Sequence, residues 1–402
     1  MAGTIAEART PTQDVATPTA QTTRPVVTVR AADEAALADY EALCRNGVHA
    51  PPQHPLWIRS WIAATGSDVI IVTVERSGAP ACTLALDVDQ EGPFRIARYA
   101  GGVHANGNFA AVANRSTNPL SREEWSTLMA SIKSARPDID LMHLARQRPS
   151  FLGIENPLTG LAAVGSPDIS LAIDLSQGFE ALLSGPEAAR KRRKHRQQIK
   201  KYNEAGGYRE FIAQTPEDAE RILSAFFAMK GARLEKLGID NTFGTDEVQN
   251  FFRLLFVRSL EQAEPPFFLR GLEVGGEFAA VKGLSRTDDS IACDFSAFNE
   301  DVPVSPGEFL DYHCIEHTST LGKQVFDFGV GDEPYKRRWC NIETWQFDTL
   351  QPLTAKGHVA RLLKLSRGRA VRFIKSNNAL WSTVKQLRAK VAGSSKITTS
   401  ED

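Results

Sequence analysis

Apolar residues recur along this chain in two rhythms, every second position in some runs and every third or fourth in others, which mark half-buried strands and amphipathic helices. Residues 26–29 read as a strand and 33–44 as a helix, and His54-Pro55-Leu56-Trp57 opens a second helix that ends near Gly66. Three apolar or alternating runs follow at 69–75, 81–88 and 94–101, separated by Ser-Gly and Glu-Gly-Pro turns, the pattern of an antiparallel meander. A helix at 121–135 and strands at 139–144 and 169–175 complete this series.

Similar elements then recur. Helices are predicted at 186–202, 216–237 and 246–260, a second meander at 267–273, 277–285 and 291–298, a helix at 306–321 and a strand at 325–328. Helices, three-strand meander, helix and strand thus appear twice in the same order, without a residue-level repeat, so the duplication is one of architecture. Ser-Gln-Gly and Ser-Gly-Pro punctuate residues 176–185 and place a boundary there. The expected division is a disordered leader at 1–24, halves at 25–175 and 176–350, and a basic amphipathic helical tail at 351–402.

With 402 residues and a hydrophobic fraction of 42%, the chain is long enough for two cored domains. Its net charge of −1 conceals an asymmetry: residues 350–400 hold eleven Lys or Arg and no Asp or Glu, so the remainder is acidic. Cys44, Cys82, Cys293, Cys314 and Cys340 are far apart and lack zinc-ligand spacing, which favours a reduced, cytoplasmic protein without a metal. Residues 1–24 are rich in Ala, Thr and Pro and lack the apolar run of a signal peptide. No stretch reaches the roughly 18 apolar residues of a membrane span.

The densest chemistry lies in Phe326-Asp327-Phe328-Gly329-Val330-Gly331-Asp332-Glu333-Pro334-Tyr335-Lys336-Arg337-Arg338-Trp339. An apolar strand runs into two glycines and Pro334 takes the first position of a new helix. Acids, a phenol and an amine therefore collect at a strand's carboxyl end, where α/β-type sheets hold ligands. The string resembles the signature of the CelD-like acetyltransferases of cellulose and exopolysaccharide production, a branch of the GNAT superfamily similar to the FemABX peptidoglycan aminoacyltransferases. Asp327, Gly331-Asp332-Glu333-Pro334-Tyr335-Lys336 and Trp339 carry the resemblance, with agreement in element order from residue 26 to 350. It implies an α+β fold of tandem GNAT-like halves, with mixed, mostly antiparallel sheets flanked by helices. It also implies acetyl-CoA, or another acyl-CoA, as co-substrate.

Acyl transfer to an amine needs a base for the nucleophile and an acid for the departing thiolate. Asp332 or Glu333 is the candidate base, Tyr335 the acid, and Lys336 an oxyanion or phosphate contact. Asp294 points to the same place if Cys293 faces the opposite side of their strand, and His313 is a candidate from the following helix. A purely structural reading has Asp332 and Glu333 capping the short helix, with Lys336 and Arg337 in solvent. The resemblance places acyl-CoA at the start of the helix that opens with Ser305-Pro306-Gly307-Glu308. There Ser305 and Gly307 are candidate pyrophosphate contacts, and the same residues also read as a capping box. The superfamily's Gly-rich pyrophosphate loop is absent.

Residues 190–202 form a basic helix in which Arg190 and Arg193 are candidate contacts for a coenzyme A phosphate. An acidic saccharide, an RNA backbone and acids of the same chain are the other partners for such charge. The tail from 359 to 391 interleaves Leu362, Leu363, Phe373, Leu380, Trp381, Val384 and Leu387 with Lys and Arg, a pattern that suits an anionic membrane or the acidic body of the chain.

The leading reading is an acyl-CoA-dependent N-acetyltransferase acting on an amino sugar, a saccharide amine or a similar small amine in exopolysaccharide, cellulose or envelope metabolism. It is expected in the cytoplasm, peripheral to the inner membrane if the tail contacts the bilayer or a polysaccharide synthase. The alternatives are a Fem-like transferase using aminoacyl transfer RNA and a non-catalytic accessory protein of a polysaccharide synthase. Other nucleic acids are not expected as partners.

Overall fold

The computed structural model describes residues 25–159, 163–184 and 187–376. The leader expected at 1–24, Pro186 at an expected helix start, and Leu380, Trp381, Val384 and Leu387 of the tail lie outside the described residues.

The first half opens with β1 (Val26–Ala31) and two helices. The Asp33 side chain caps α1 (Glu34–Asn46), and α2 (Pro55–Thr65) starts at a proline and stops at the left-handed Gly66. The meander is β2 (Val69–Arg76), β3 (Ala79–Glu91) and β4 (Phe94–Tyr99), with a short β5 (Ala111–Val112) against β3. A capping box of Ser121 and Glu124 begins α3 (Arg122–Ala135), which leads to β6 (Leu141–Gln147). A hairpin of β7 (Ser150–Phe151) and β8 (Ile154–Glu155) precedes the long β9 (Ala163–Asp174).

After α4 (Phe179–Leu182) and the basic α5 (Ala188–Glu204), the second half repeats this order. An edge strand, β10 (Tyr208–Ile212), is followed by α6 (Pro216–Lys236) and α7 (Asp246–Leu260). The second meander is β11 (Phe267–Val274), β12 (Glu277–Arg286) and β13 (Ser290–Phe298). Then come α8 (Pro306–Thr320), β14 (Val325–Val330), the one-turn α9 (Pro334–Arg337), β15 (Ile342–Pro352) and α10 (Ala355–Ser376).

Among the described residues, all strands but the small hairpin join one 13-stranded, mostly antiparallel sheet, in the order β1-β2-β3-β4-β6-β15-β9-β14-β13-β12-β11-β10 with β5 beside β3. The last strand of each half crosses to the other: β9 pairs with β14, β15 pairs with β6, and the two pair with each other at the centre. No strand was expected at 342–352, because β15 places polar side chains inward. Gln346 and Thr349 are buried there, bonded to Ser170 and Gln147 at 3.2 and 2.9 Å. Helices α6 and α7 cover one face of the second half through Phe226, Phe251 and Phe256, and α2 joins that core with Trp57 edge-on to Phe251 at 4.8 Å. The opposite face is covered by α8 through Phe309, Leu310 and Ile315.

Each half contains one parallel pair that begins and then forks. β4 and β6 pair at Ile96↔Leu141 and Ala97↔Met142, and β13 and β14 pair from Ser290↔Val325 to Ala292↔Asp327. The first fork is filled. Tyr99 donates to Gln147 at 3.0 Å, and Asn108 bonds the Ala145 carbonyl at 2.9 Å and Gln53 at 2.8 Å, all of these side chains being buried. The second fork is open, and the site lies in it.

Candidate functional site

Beyond Ala292 and Asp327 the divergence of β13 and β14 forms a cleft of about 530 Å³. Lys230, Arg233 and Leu234 of α6, with Leu237 just past its end, line it from one side of the sheet, and Gly307 and Asp311 of α8 with Tyr335 and Lys336 of α9 from the other. Asn106, Gly107 and Arg148 of the first half close one end.

Asp294 reaches this cleft through a β-bulge. Gly283 faces Phe295 and Leu284 faces Cys293, so Asp294 is the extra residue on β13. Gly283 makes room for this, since a Cβ there would lie 2.3 Å from the Phe295 ring. Both Cys293 and Asp294 line the cleft, which corrects the expectation that Cys293 would face away: the bulge suspends the alternation of the strand. Ser285 donates to Asp294 Oδ1 at 3.0 Å, while Oδ2 is buried and has no hydrogen-bond partner among the described residues. Burial pushes the Asp294 carboxyl up to about 7, with Asp327 adding to the rise and Ser285 and Arg148 opposing it. An acid so placed exchanges protons at neutral pH.

Arg148, which the sequence reading missed, forms an ion pair with Asp327 across the two halves. Asp327 also accepts the Gly329 N–H at 2.7 Å, fixing the start of the turn that follows. Deeper in the cleft Lys282 and Asp311 are paired at 2.7 Å, both buried. Burial works against the Lys282 ammonium, but Asp311 holds it protonated, well above the ordinary lysine range. Burial also pushes the neighbouring Cys293 thiol up, against the pull of Lys282, so Cys293 is a poor nucleophile. Lys230 differs from these cations. No carboxylate of the described residues lies within ion-pair distance, and burial pulls its pKa down.

The turn at 329–333 bends at Gly331, whose φ of 119° suits glycine and whose Cβ would meet the Glu333 carboxylate at 2.6 Å. Lys336 is buried, donates to the Val330 carbonyl at 2.8 Å and pairs with Glu333 at 3.0 Å. Its ammonium therefore fastens the turn from a buried position at the cleft wall, which corrects the solvated position of the purely structural reading. Tyr335 packs edge-on to Phe328 and lines the cleft, and burial pushes its phenol up, so it carries its proton at neutral pH. Asp332 stands outside the cleft wall, half exposed and paired with Arg337 at 2.5 Å, which holds its carboxyl below the usual range. Of the two acids expected as bases, Glu333 borders the cleft and Asp332 does not.

Ser305 and Gly307 border the cleft as expected, but the capping box does not form. Ser305 has a left-handed backbone, φ 57°, and its side chain makes no cap bond. Gln198 of α5 instead grips the Val304 and Ser305 carbonyls at 2.8 and 3.0 Å. Glu308 is ion-paired with Lys194 and Arg338. Arg190 and Arg193 do not line the cleft: Arg190 pairs with Glu187 and Arg193 is exposed to solvent, because Lys194 occupies the side of α5 that meets α8. His313 turns toward His195, 5.2 Å between ring centres, and away from the cleft. Among the described residues no group of His, Cys, Asp and Glu is arranged to hold a metal, and no helix is long and apolar enough to cross a membrane.

Residues 189–337, which supply most of the lining of this cleft, match the family described as Acetyltransferase (GNAT) domain. No protein of curated function matches. Among solved structures, FemX is similar at 12% identity with a TM-score of 0.54, covering 78% of this chain and 96% of that one. L-PGS from Bacillus licheniformis is similar at 12% identity with a TM-score of 0.50, covering 81% and 95%. A conserved protein of unknown function from Bacteroides thetaiotaomicron gives 10% identity and a TM-score of 0.50, covering 78% and 97%. The chain has a mixed α+β fold, a large and mostly antiparallel sheet flanked by helices, and its residues 189–337 carry the match to the GNAT domain.

Proposed function

We propose that the cleft transfers an acyl group from acyl-CoA, with acetyl-CoA as the first donor to test, to the nitrogen of an amino sugar or similar small amine. The observation that carries this reading is Asp294 on its bulge in the open fork, with a carboxylate oxygen that has no partner among the described residues and a pKa pushed up to about 7, in a cleft that the protonated Tyr335 also lines. Coenzyme A supplies a thioester and a thiolate leaving group. Asp294 takes a proton from the acceptor's ammonium so that the amine can attack, Tyr335 gives one to the departing thiolate, and the buried Lys282–Asp311 pair adds a fixed polar group to the cleft wall. Ser305 and Gly307 border the cleft where the donor's phosphates would approach, with Glu308 neutralised by Lys194 and Arg338. The resemblance to CelD-like enzymes points to an acceptor in exopolysaccharide or envelope metabolism.

Glu308 also favours a second reading. Its carboxylate occupies the first turn of α8, where a pyrophosphate would otherwise meet free N–H groups, so a Fem-like donor that places no pyrophosphate there is the alternative. One titration separates the two. Acetyl-CoA should raise the thermal midpoint saturably in the wild type and in Tyr335→Phe, while acetyl transfer to a panel of amino sugars falls by about 10²- to 10⁴-fold in the variant. Absence of any shift over a wide concentration range would move the donor to aminoacyl transfer RNA or remove catalysis altogether.

A further inference from the structure

α10 lies across β15, β9, β6 and β4 and sets Ala360 and Leu365 against Ile96, Leu141 and Leu350. Thr354 fixes its start by donating to Asp140 at 2.6 Å, and Lys364 pairs with Glu91 at 2.8 Å. With the inner face held this way, the outer face is also apolar: Val359 is 52% exposed, Leu362 64% and Leu363 58%. Phe373, 65% exposed, stands about three turns further along the same line. A helix packed on its own protein ordinarily turns polar residues outward. Here the stripe is bordered instead by the exposed cations Lys356, Arg367 and Arg369.

Charge decides what fits this face. Residues 377–402 hold four Lys or Arg against two acids at the end of the sequence, so this net positive stretch would set cations against the cations of α10. A second copy docking through its own α10 meets the same repulsion. An anionic bilayer offers both an apolar interior for the leucines and negative headgroups for their basic border. We propose that the outer face of α10 is a docking surface for an anionic lipid membrane, with Val359, Leu362 and Leu363 seated at the headgroup boundary and Lys356, Arg367 and Arg369 among the phosphates. The surface lies apart from the cleft, so it stands whether or not the cleft transfers acyl groups.

The test is co-sedimentation of the full-length protein with vesicles at low salt. It should pellet with vesicles rich in phosphatidylglycerol and stay in solution with pure phosphatidylcholine. Leu362→Ser with Leu363→Ser should lower vesicle partition at least about tenfold with an unchanged thermal midpoint, since both side chains are already exposed. Lys356→Gln with Arg367→Gln and Arg369→Gln should lower it as well and flatten its salt dependence. Failure to pellet with phosphatidylglycerol vesicles would overturn the proposal, as would undiminished pelleting of the double serine variant. Concentration-dependent dimers that the serine substitutions abolish, without vesicle binding, would assign the face to a second copy instead.

Discussion

Arg148 of the first half is ion-paired with Asp327 of the second, 179 residues away in sequence. The pair ties the strand that leads into the 329–333 turn to a half of the protein whose own fork is filled, which gives the first half a part in shaping the cleft of the second. Arg148→Ala leaves Asp327 buried without its counter-ion, a change expected to cost on the order of 3–5 kcal/mol. Because Arg148 also opposes the rise in the Asp294 pKa, the variant's residual turnover should have its apparent pKa shifted upward. Chemical denaturation and a pH–rate profile check the two effects separately.

Asp294 titrates near 7 in the folded protein against 3.8 for an ordinary aspartate. As a base it acts when deprotonated, so kcat/KM should rise with pH through about 7 and then level, and Asp294→Asn should remove most of the activity together with that limb. The stability effect runs the other way. Between pH 3.8 and about 7 the native protein holds a proton that the unfolded chain releases, so stability falls as pH rises across this window. Asp294→Asn should therefore raise the thermal midpoint at pH 8, and the gain should vanish near pH 4.

Gly283 tests the bulge itself. A methyl group there would meet the Phe295 ring at 2.3 Å, so Gly283→Ala must push the ring or straighten β13. The expected cost is about 1–3 kcal/mol, with a loss of activity larger than the loss of folded protein explains. Parallel thermal melts and single-turnover rates distinguish a displaced Asp294 from simple unfolding.

Lys230 lacks a carboxylate partner among the described residues, while Arg148, Lys282 and Lys336 around it each have one. Amines that carry a phosphate or carboxylate should show a lower KM than neutral ones, and Lys230→Met should erase that preference while leaving acetyl-CoA affinity unchanged. A KM comparison between glucosamine and glucosamine 6-phosphate reads this directly.

The periodic elements were legible because their polar and apolar residues agree with their final burial. Both meanders and helices α1, α3, α6, α7 and α8 follow from spacing, and the duplicated order follows from them. β15 was hidden because Gln346 and Thr349 stand where the pattern requires apolar residues, and their hydrogen bonds to Ser170 and Gln147 are visible only after folding. The density of the 326–339 motif led to Tyr335 and Lys336, but charge alone could not tell the buried Lys336 from the exposed Asp332. Arg148 gave no local signal, since its partner is long-range. The isolated Gly283 within a strand was the available sign of the bulge that presents Asp294.

Amide hydrogen exchange of the full-length protein with and without saturating acetyl-CoA tests the central claim most directly. Protection confined to residues 292–298 and 327–336, where β13 and β14 part, is the expected result. Binding without protection of those segments, or no binding at all, would contradict the assignment of the fork as the acyl-donor site.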